Sequence, residues 1–412
     1  MKVILAHKFL HMMGGTEVYF QNLADILHEH GHETIPFAVK DSRNPYSKYE
    51  QYFPTSLDFR EKSVSYKLRH FGRIVSRTLY SFESRNNVRE LIKVLNPDIA
   101  HLQCIENHIS PSIIDEFHKQ RIPIVQSVNT YKHVCAAYKL YRPESNEICY
   151  QCQGGRHYRA LANRCIKNSL SGSALGMLEM YLHQSLLKIY HKVDRFIVPN
   201  QFMADKMKEG GYSEDKIIQI RNPFEVGSIE PQNKLGKYFL YFGRIEPEKG
   251  VFDLVRAMKK LKDQRLVVVG SGSDAEKCSD WARQNRLDNV EFVGPKWGAE
   301  LKPYLQECLA VVVPSLWHEP SPYVIYQAMA EGKPVIGNRV GGIPDLITEE
   351  TGRLATPGNI DDLATQMASV CETPEKALAM GKAGRAWAEA TLSPQYYYQR
   401  LMEVYSPLLD AR

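Results

Sequence analysis

The stretch WHEPSPYVIYQAMAEGKPVIGNRVGG, residues 317–342, joins a polar loop, a helix and a glycine turn. It follows residues 308–315, a short run rich in β-branched side chains that is typical of a buried parallel strand. Residues 323–331 have the composition of a helix, and prolines precede them. The first amides of this helix, at Tyr323 and Val324, lack intrahelical acceptors and lie at the positive end of its dipole. The stretch therefore predicts an anion-binding site in an α/β fold.

Two polar side chains of this stretch are expected to face one crevice. Glu319 lies in the loop and Gln327 lies in the helix, with seven residues between them. Residues 333–337 are predicted to form the next strand, and Gly341–Gly342 to let backbone approach a ligand closely. Ile343–Asp345 is predicted to begin another helix. In the alternative interpretation, Glu319 caps the helix and Gln327 is a surface residue.

A second motif, YFLYFGRIEPEKG at residues 238–250, is an apolar strand that ends at Gly243 and Arg244 and leads through Lys249 into a helix. Two further strands end in the glycine turns at Gly270 and Gly294. Glycine turns at the carboxyl ends of parallel strands bring backbone N–H groups to a ligand. The repeated strand, turn and helix predict a doubly wound parallel sheet.

The amino-terminal half repeats this rhythm. Residues 2–7 form a predicted strand that leads through Gly14 and Gly15 into a helix, although such a glycine pair also serves as a simple connection. Another predicted strand, residues 96–103, carries His101, which either ends near a ligand or is a core histidine. Residues 123–132 run from a strand into a polar loop that contains Asn129, and His133 follows.

These motifs resemble the retaining family 4 glycosyltransferases of GT-B architecture. The family patterns that this chain matches in full are Gly-Arg, a short loop, then Lys-Gly, and Pro-Asp, two apolar residues, then His. The chain matches a third pattern, Glu, seven residues, then Glu, at its first position, Glu319. The resemblance covers nearly the whole chain and implies an α/β fold with two Rossmann-like, doubly wound domains that face each other across a cleft. This chain departs from the pattern in having Gln327 for the second glutamate and Asn129 where many members have histidine.

The resemblance also implies roles for the donor-side residues. Arg244 and Lys249 would hold the diphosphate of a UDP- or GDP-sugar, and Glu319 would orient the sugar. The remaining donor-binding positions are Gln327 at the ribose, Gly14, Gly15, Gly243, Gly270, Gly294, Tyr323 and Val324. Gln327 can accept a hydrogen bond but lacks the charge that strengthens it.

On the acceptor side, the resemblance implies Asn129 as a fourth catalytic position, with His101 and His133 nearby. The implied reaction moves a sugar to a hydroxyl of a polysaccharide or lipid-linked saccharide, with retention and without a catalytic cofactor. Because Asn129 and Gln327 both depart from the pattern, a weak or inactive binding or assembly subunit is the alternative. A sugar-nucleotide epimerase is a third interpretation, which the missing histidine at position 129 disfavours.

Length and charge set the broad class. A chain of 412 residues predicts two domains, expected at 1–228 and 229–392, with a last helix at 393–412 that crosses back to the first domain. The net charge of +5 does not favour a nucleic-acid partner. No apolar run reaches membrane-spanning length, so we expect a cytoplasmic protein. Residues 60–93 predict a basic amphipathic helix that either contacts the inner face of a membrane or packs on the sheet.

Four cysteines form a separate group, which occupies about residues 135–165 of the first predicted domain. Cys135, Cys149, Cys152 and Cys165 contain one Cys-x-x-Cys pair flanked by two further thiols. This spacing fits a structural zinc site, and a subset of the resembled family carries the same insert. Four thiols buried as small hydrophobic side chains are the alternative.

Overall fold

The computed structural model describes residues 1–59, 61, 63–142, 144–231 and 234–411. Five internal positions of the predicted segments therefore lie outside the described residues: Arg60 and Lys62 of the basic segment, Pro143 of the cysteine segment, and positions 232–233, which follow the predicted domain boundary. Arg412, at the end of the last predicted helix, also lies outside them. The chain forms two compact units. The first contains residues 1–139, 150–223 and the chain from Tyr397 onward, and the second contains 140–149 and 224–396.

Strands make up the two main sheets and one short hairpin. In chain order they are β1 (Lys2–Ala6), β2 (Glu33–Phe37), β3 (Ile99–Gln103), β4 (Ile124–Ser127), β5 (Tyr141–Arg142), β6 (Glu147–Ile148), β7 (Arg195–Val198), β8 (Ile217–Gln219), β9 (Tyr238–Phe242), β10 (Arg265–Val269), β11 (Val290–Gly294), β12 (Ala310–Val313), β13 (Val335–Asn338) and β14 (Gly352–Ala355).

Helices alternate with most of these strands. They are α1 (Gly15–Glu29), α2 (Val64–Leu79), α3 (Phe82–Leu95), α4 (Ser112–Lys119), α5 (Tyr158–Ala162), α6 (Leu170–Met180), α7 (Gln201–Glu209), α8 (Val251–Ala257), α9 (Ala275–Gln284), α10 (Lys302–Glu307), α11 (Tyr323–Ala330), α12 (Ile360–Glu372), α13 (Pro374–Leu392) and α14 (Pro394–Asp410). A π-helix, Tyr181–Leu186, extends α6, and short 3₁₀ turns occupy Glu50–Tyr52, Tyr131–His133, Ile189–Lys192, Glu214–Lys216, Pro247–Lys249, Met258–Lys260 and Gly298–Glu300. Among the described residues, none of the helices has the length and apolar character needed to cross a membrane.

The first unit contains a parallel sheet with the strand order β2-β1-β3-β4-β7-β8. Its central strands are almost completely buried, which explains why most of their side chains are apolar. The chain leaves β1 toward β2 on one side and later returns to β3 on the other. Ligands of doubly wound folds bind at the carboxyl ends of two such strands.

The second unit repeats this plan with the order β11-β10-β9-β12-β13-β14, again all parallel. Here the chain builds β10 and β11 on one side of β9 and then crosses to β12 on the other side. The switch point lies between β9 and β12, and both strands are fully buried. Both sheets confirm the predicted doubly wound α/β class.

Helix α14 belongs to the first unit from Tyr397 onward. Its buried side chains Tyr397, Leu401 and Tyr405 pack into that unit. The Tyr405 hydroxyl lies 2.6 Å from Nδ1 of His101, and the Tyr397 hydroxyl lies 2.5 Å from that of Tyr19. Apolar packing and buried hydrogen bonds together therefore hold the end of the chain in the first unit.

Two predicted helices differ from the structure. The basic segment forms two helices, α2 and α3, because extended backbone at Tyr80 ends α2, and Ser81 then caps α3 by accepting a hydrogen bond from the Ser84 amide. Ile343–Asp345 begins no helix. The chain forms isolated turns there, and the Thr348 amide donates to the Thr351 hydroxyl instead of continuing a helical ladder.

Candidate donor-binding site

The predicted donor-side residues lie at the carboxyl edge of the second sheet, at its switch point. Gly243 and Arg244 directly follow β9, and Glu319 lies in the loop after β12. Strands β9 and β12 are hydrogen-bonded neighbours, so both loops leave the sheet side by side. Arg244 is exposed, and its backbone carbonyl accepts a 2.5 Å hydrogen bond from the Tyr241 hydroxyl. A cation is thus displayed at the edge where doubly wound folds bind ligands.

An ion pair links the two loops. Lys249 Nζ lies 2.6 Å from Glu319 Oε1, although 70 residues separate them in sequence. The same oxygen accepts hydrogen bonds from Ser315 Oγ at 2.7 Å and from Trp317 Nε1 at 2.9 Å. Only 5% of Glu319 is exposed, so these donors compensate for its removal from water. The pairing brings together two residues that the sequence had placed in one site.

The glycine turn after β13 supports the loop that carries Glu319. Gly341 has φ +58°, and a Cβ there would lie 2.7 Å from the Glu319 amide nitrogen. The Gly342 amide donates to the Glu319 carbonyl at 2.9 Å. The close approach expected at these glycines is therefore to the loop of Glu319, and any larger residue at position 341 would displace that loop.

Three further glycines lie side by side along the same edge. The Gly243 amide donates to the Val269 carbonyl, and the Gly270 amide donates to the Gly294 carbonyl at 2.9 Å. Gly270 has φ +150°, and a Cβ there would lie 1.9 Å from the Gly243 carbonyl oxygen. A Cβ on Gly294 would meet no atom within 4 Å. The turns after β9, β10 and β11 therefore form one row of backbone with open space beside its outer end.

Helix α11 begins at Tyr323, as the sequence predicts. The amides of Tyr323 and Val324 are thus the first two of the helix, at the positive end of its dipole. Gln327 lies one turn after Tyr323 on the same face and is half-buried. These residues follow Glu319 directly, so the helix start and the carboxylate belong to one edge of the sheet.

Both predicted acceptor-side histidines are core residues. His101 is 1% exposed, and its ring nitrogens lie 2.6 Å from the Tyr405 hydroxyl and 2.7 Å from Ser127 Oγ. Burial lowers the pKa of His101 to about 3. His133 is 2% exposed and packs against aromatic rings, including those of Tyr190 and Phe196. Burial also lowers the pKa of His133 to about 3. These surroundings fit the core interpretation that the sequence left open for His101, and a role of either histidine on the acceptor side stays a prediction.

The other predicted residues of the first unit lie at the carboxyl edge of its sheet. Gly14 and Gly15 are exposed at the start of α1. Asn129 follows β4 and is half-buried, and its Oδ1 lies 3.3 Å from Nδ2 of Asn222. Glu17, which the sequence did not single out, is 4% exposed and lies 3.2 Å from Lys8 Nζ.

The cysteine segment does not form a compact ligand set. All eight cysteines lie in the described residues, and none is in a disulfide. Cys152 packs with Ala136, Ala160 and Met180 in a small apolar cluster, and Cys165 lies against it. Within the described ranges, no three His, Cys, Asp or Glu side chains are arranged to hold a metal ion. This arrangement fits the buried-thiol interpretation for Cys152, Cys165 is only partly buried, and the zinc site stays a prediction.

A solved structure identifies the fold. The crystal structure of HepE from Anabaena, in complex with UDP, covers 99% of this chain and 100% of its own, with a TM-score of 0.65 and 16% identity. The two parallel six-stranded sheets with their helices are the GT-B fold, as expected. At this identity the likeness establishes the fold alone.

Sequence relatives identify the family. The profile named Glycosyltransferase Family 4 matches residues 13–227, more than half of the chain, and the profile named Glycosyl transferases group 1 matches 228–387. This protein belongs to Glycosyltransferase Family 4.

Two curated relatives show how far the similarity extends. A glycogen synthase of Mycobacterium tuberculosis is 30% identical over 227 residues, which are 52% of this chain and 54% of the relative. The chain thus spans about half the length of that relative. An uncharacterized 42.6 kDa protein in the cps region of Klebsiella pneumoniae is 25% identical over 84% of this chain and 87% of its own.

Proposed function

We propose that this protein transfers a glycosyl group from a nucleotide-activated sugar to a hydroxyl of an acceptor saccharide, with retention of configuration. The observation that carries the proposal is the meeting of Lys249 and Glu319 beside Arg244 at the switch point of the second sheet. Family membership supports the reaction class, and retention follows from the resemblance to the retaining members of the family.

The proposed mechanism stabilises the diphosphate as it leaves the sugar. Arg244 grips phosphate oxygens with its planar fork, and Lys249 adds a compact charge. The first amides of α11, at Tyr323 and Val324, contribute the positive end of a helix dipole. These groups act where negative charge develops, and this is how they lower the barrier. They supply the positive charge for which other transferases use a divalent ion, so we assign no catalytic cofactor.

Glu319 and Gln327 orient the donor in this proposal. The carboxylate of Glu319 accepts hydrogen bonds from sugar hydroxyls, and the amide oxygen of Gln327 accepts one from the ribose. UDP- and GDP-sugars are the proposed donors. The complex of HepE with UDP supports the first of these choices.

Thermal unfolding with UDP, GDP and ADP tests the donor site. A nucleotide at 100 times its dissociation constant should stabilise the parent by about 2.7 kcal/mol and raise the unfolding midpoint. Arg244→Ala should abolish most of this stabilisation. Arg265→Ala is the matched control. Arg265 is exposed at the amino end of β10, away from the carboxyl edge where Arg244 lies, so its loss should leave the shift in the unfolding midpoint unchanged. If no nucleotide stabilises the parent, the proposed function is wrong.

The proposed acceptor is a lipid-linked or polysaccharide saccharide at a membrane surface. Helix α2 contains no acidic residue, and its Leu68 and Phe71 side chains are 74% and 64% exposed. The exposed cations Arg69 and Arg73 lie on the same helix. Helix α6 packs against α2 and adds exposed leucines. Apolar side chains flanked by cations bind anionic membrane surfaces.

Vesicle flotation tests this part of the proposal. We expect the parent to float with vesicles that contain phosphatidylglycerol and to stay with the soluble fraction in pure phosphatidylcholine. Leu68→Glu combined with Phe71→Glu should abolish flotation. Val94→Glu is the control, since Val94 is 65% exposed on the neighbouring helix α3. Equal loss in the control would mean that added negative charge, and not the α2 surface, determines binding.

A binding or assembly subunit without turnover is the second candidate. Asn129 replaces an ionisable histidine and lies near Asn222, and Gln327 replaces a carboxylate. Neither side chain can move a proton at neutral pH. Nucleotide binding that depends on Arg244, without sugar transfer to any saccharide acceptor, would favour this candidate over the transferase.

A further inference from the structure

Three hydrogen bonds to the carboxylate of Glu319 share one of its two oxygens. All three donors that the structure places on it, Lys249 Nζ, Ser315 Oγ and Trp317 Nε1, reach the same oxygen, Oε1. Their distances are 2.6, 2.7 and 2.9 Å. None of these bonds uses Oε2. A carboxylate held through one oxygen has a fixed plane, and its second oxygen can accept hydrogen bonds from a ligand.

The three donors differ in charge. Lys249 is the cation that the proposed function assigns to the diphosphate, and an ammonium that turns toward phosphate weakens its bond to Glu319. Ser315 and Trp317 are neutral and have no such second partner in the proposal. They can therefore hold the carboxylate in place while Lys249 serves the leaving group.

The ring of Trp317 also contacts the cation. Lys249 Nζ lies 5.3 Å from the centroid of the Trp317 ring, within cation–π distance. One side chain thus touches both members of the ion pair, the carboxylate with its N–H group and the ammonium with its ring. This arrangement suits a residue that sets the relative position of the two groups.

Buried hydrogen bonds and close packing hold the loop around these donors. Ser315 is 2% exposed, and Asn338 Nδ2 donates to the carbonyls of Pro314 at 2.8 Å and Ser315 at 3.2 Å. On the other side, Gly341 packs against the backbone of the His318–Glu319 pair. Donors on a fixed loop keep their direction, which is required for a carboxylate to be held in one orientation.

We infer that Trp317 and Ser315 are positioning residues, which hold the Glu319 carboxylate so that Oε2 receives a hydroxyl of the donor sugar. This inference rests on the proposed function, and it assigns recognition of the sugar, as distinct from the nucleotide, to the pair. Loss of either donor should therefore weaken binding of the nucleotide sugar without weakening binding of the nucleotide alone.

The test compares two affinities for each protein. Calorimetric titration with the nucleotide that stabilises the parent, and with its glucose, galactose and N-acetylglucosamine conjugates, gives the ratio of dissociation constants. Trp317→Phe keeps the ring and removes the N–H group, and Ser315→Ala removes the hydroxyl. We expect nucleotide affinity to stay within about twofold and affinity for the preferred conjugate to fall about tenfold, as the loss of a hydrogen bond to a charged group implies.

Two controls separate positioning from general damage. Trp281→Phe removes an indole N–H group elsewhere in the same unit, on α9, and should leave both affinities unchanged. Ser315→Thr retains the hydroxyl and should keep a ratio near that of the parent. If Trp317→Phe does not fold, Ser315→Ala and Ser315→Thr decide the matter on their own.

The outcomes are distinct. A fall in the affinity for the conjugate alone supports the inference. An equal fall for nucleotide and conjugate, or no change in either, overturns it while leaving the proposed function intact. A parent that binds no nucleotide overturns the proposed function, and the inference fails with it.

Discussion

Each unit of this protein contains a lysine–glutamate pair of nearly the same length in very different surroundings. In the first unit, Lys132 Nζ lies 2.5 Å from Glu179, and the two side chains are 1% and 2% exposed. In the second unit, Lys249 Nζ lies 2.6 Å from Glu319, and those side chains are 19% and 7% exposed. Distance alone would make the two pairs equivalent, but their access to a ligand is different.

The neighbours of each pair explain the difference. We call the Lys132–Glu179 pair the sealed pair and the Lys249–Glu319 pair the accessible pair. Around the sealed pair, His183 Nδ1 lies 3.7 Å from the Glu179 carboxylate, and the Tyr138 ring lies 4.7 Å from the Lys132 ammonium. These groups complete a buried polar cluster. The Lys249 pair instead lies in loops at a switch point, where its ammonium keeps some solvent contact. In the proposed function, the place of the Lys249 pair on the sheet edge and its exposure, and not its distance, distinguish it from the Lys132 pair.

Breaking the sealed pair should have the largest effect. Lys132→Met leaves the Glu179 carboxylate buried without its cation, and this should lower the free energy of unfolding by about 3–5 kcal/mol. Denaturation by urea, followed by hydrogen exchange in β4 and α6, measures the loss. The double variant Lys132→Met with Glu179→Leu should recover most of it, because both charges are then absent. A loss below about 1 kcal/mol for the single variant would mean that water reaches the pair.

The same change in the accessible pair should affect rate more than stability. Lys249→Met removes a cation from the proposed diphosphate site, which should lower kcat by about 100- to 1000-fold, equivalent to about 2.7–4 kcal/mol of the activation barrier. The free energy of unfolding should change by about 1 kcal/mol or less, because the ammonium is partly solvated and Glu319 keeps two neutral donors. Lys260→Met, at an exposed surface pair, is the control for charge. A Lys249 variant that unfolds while Lys260→Met does not would mean that the Lys249–Glu319 pair, like the Lys132–Glu179 pair, is required for stability.

A fall in pH should lower the stability of the first unit. Burial lowers the pKa of His101 and His133 to about 3 and that of His7 to about 4, and all three lie in the first unit. Because these values lie below the ordinary 6.5, the unfolded chain takes up protons first as the pH falls. Each histidine should cost about 1.4 kcal/mol of stability per pH unit between pH 6.5 and its folded pKa, or about 2 kcal/mol by pH 5. Above pH 6.5 the effect is absent.

Unfolding by urea at pH 7, 6 and 5 measures this slope. His101→Asn, which cannot gain a proton, should reduce the slope by the contribution of one histidine. If the slope in His101→Asn equals that of the parent, the imidazole titrates normally and is not sealed in the core.

The accessible pair was within reach of sequence reasoning, and the sealed pair was not. Arg244, Lys249 and Glu319 each follow a strand with a recognisable apolar run, so their places at one sheet edge could be expected. Lys132 and Glu179 are 47 residues apart, in a loop and a helix whose packing no local pattern predicts. The same limit applies to His101, for which the strand pattern left a core position and a ligand position open.

Local patterns also failed where two conformations compete. The apolar stripe in the basic segment suggested one helix, but a serine cap divides it. At Ile343–Asp345, the Thr348–Thr351 hydrogen bond competes with helix growth. Such choices depend on single side-chain contacts, which a periodic pattern does not contain.

The smallest expected effect concerns Gln327, which stands where the family pattern has a glutamate. Gln327→Glu restores the carboxylate of the family pattern, and a charge-assisted hydrogen bond to the ribose should tighten nucleotide binding by about 1 kcal/mol, or about fivefold. Calorimetric titration measures the change, with Gln284→Glu as the control for an added charge on an exposed helix of the same unit. The parent and this variant should respond equally to Trp317→Phe, because that residue acts on the sugar. Weaker nucleotide binding in Gln327→Glu would show that this position does not face the ribose, and donor binding at this edge would then depend on Arg244, the accessible pair and the first amides of α11.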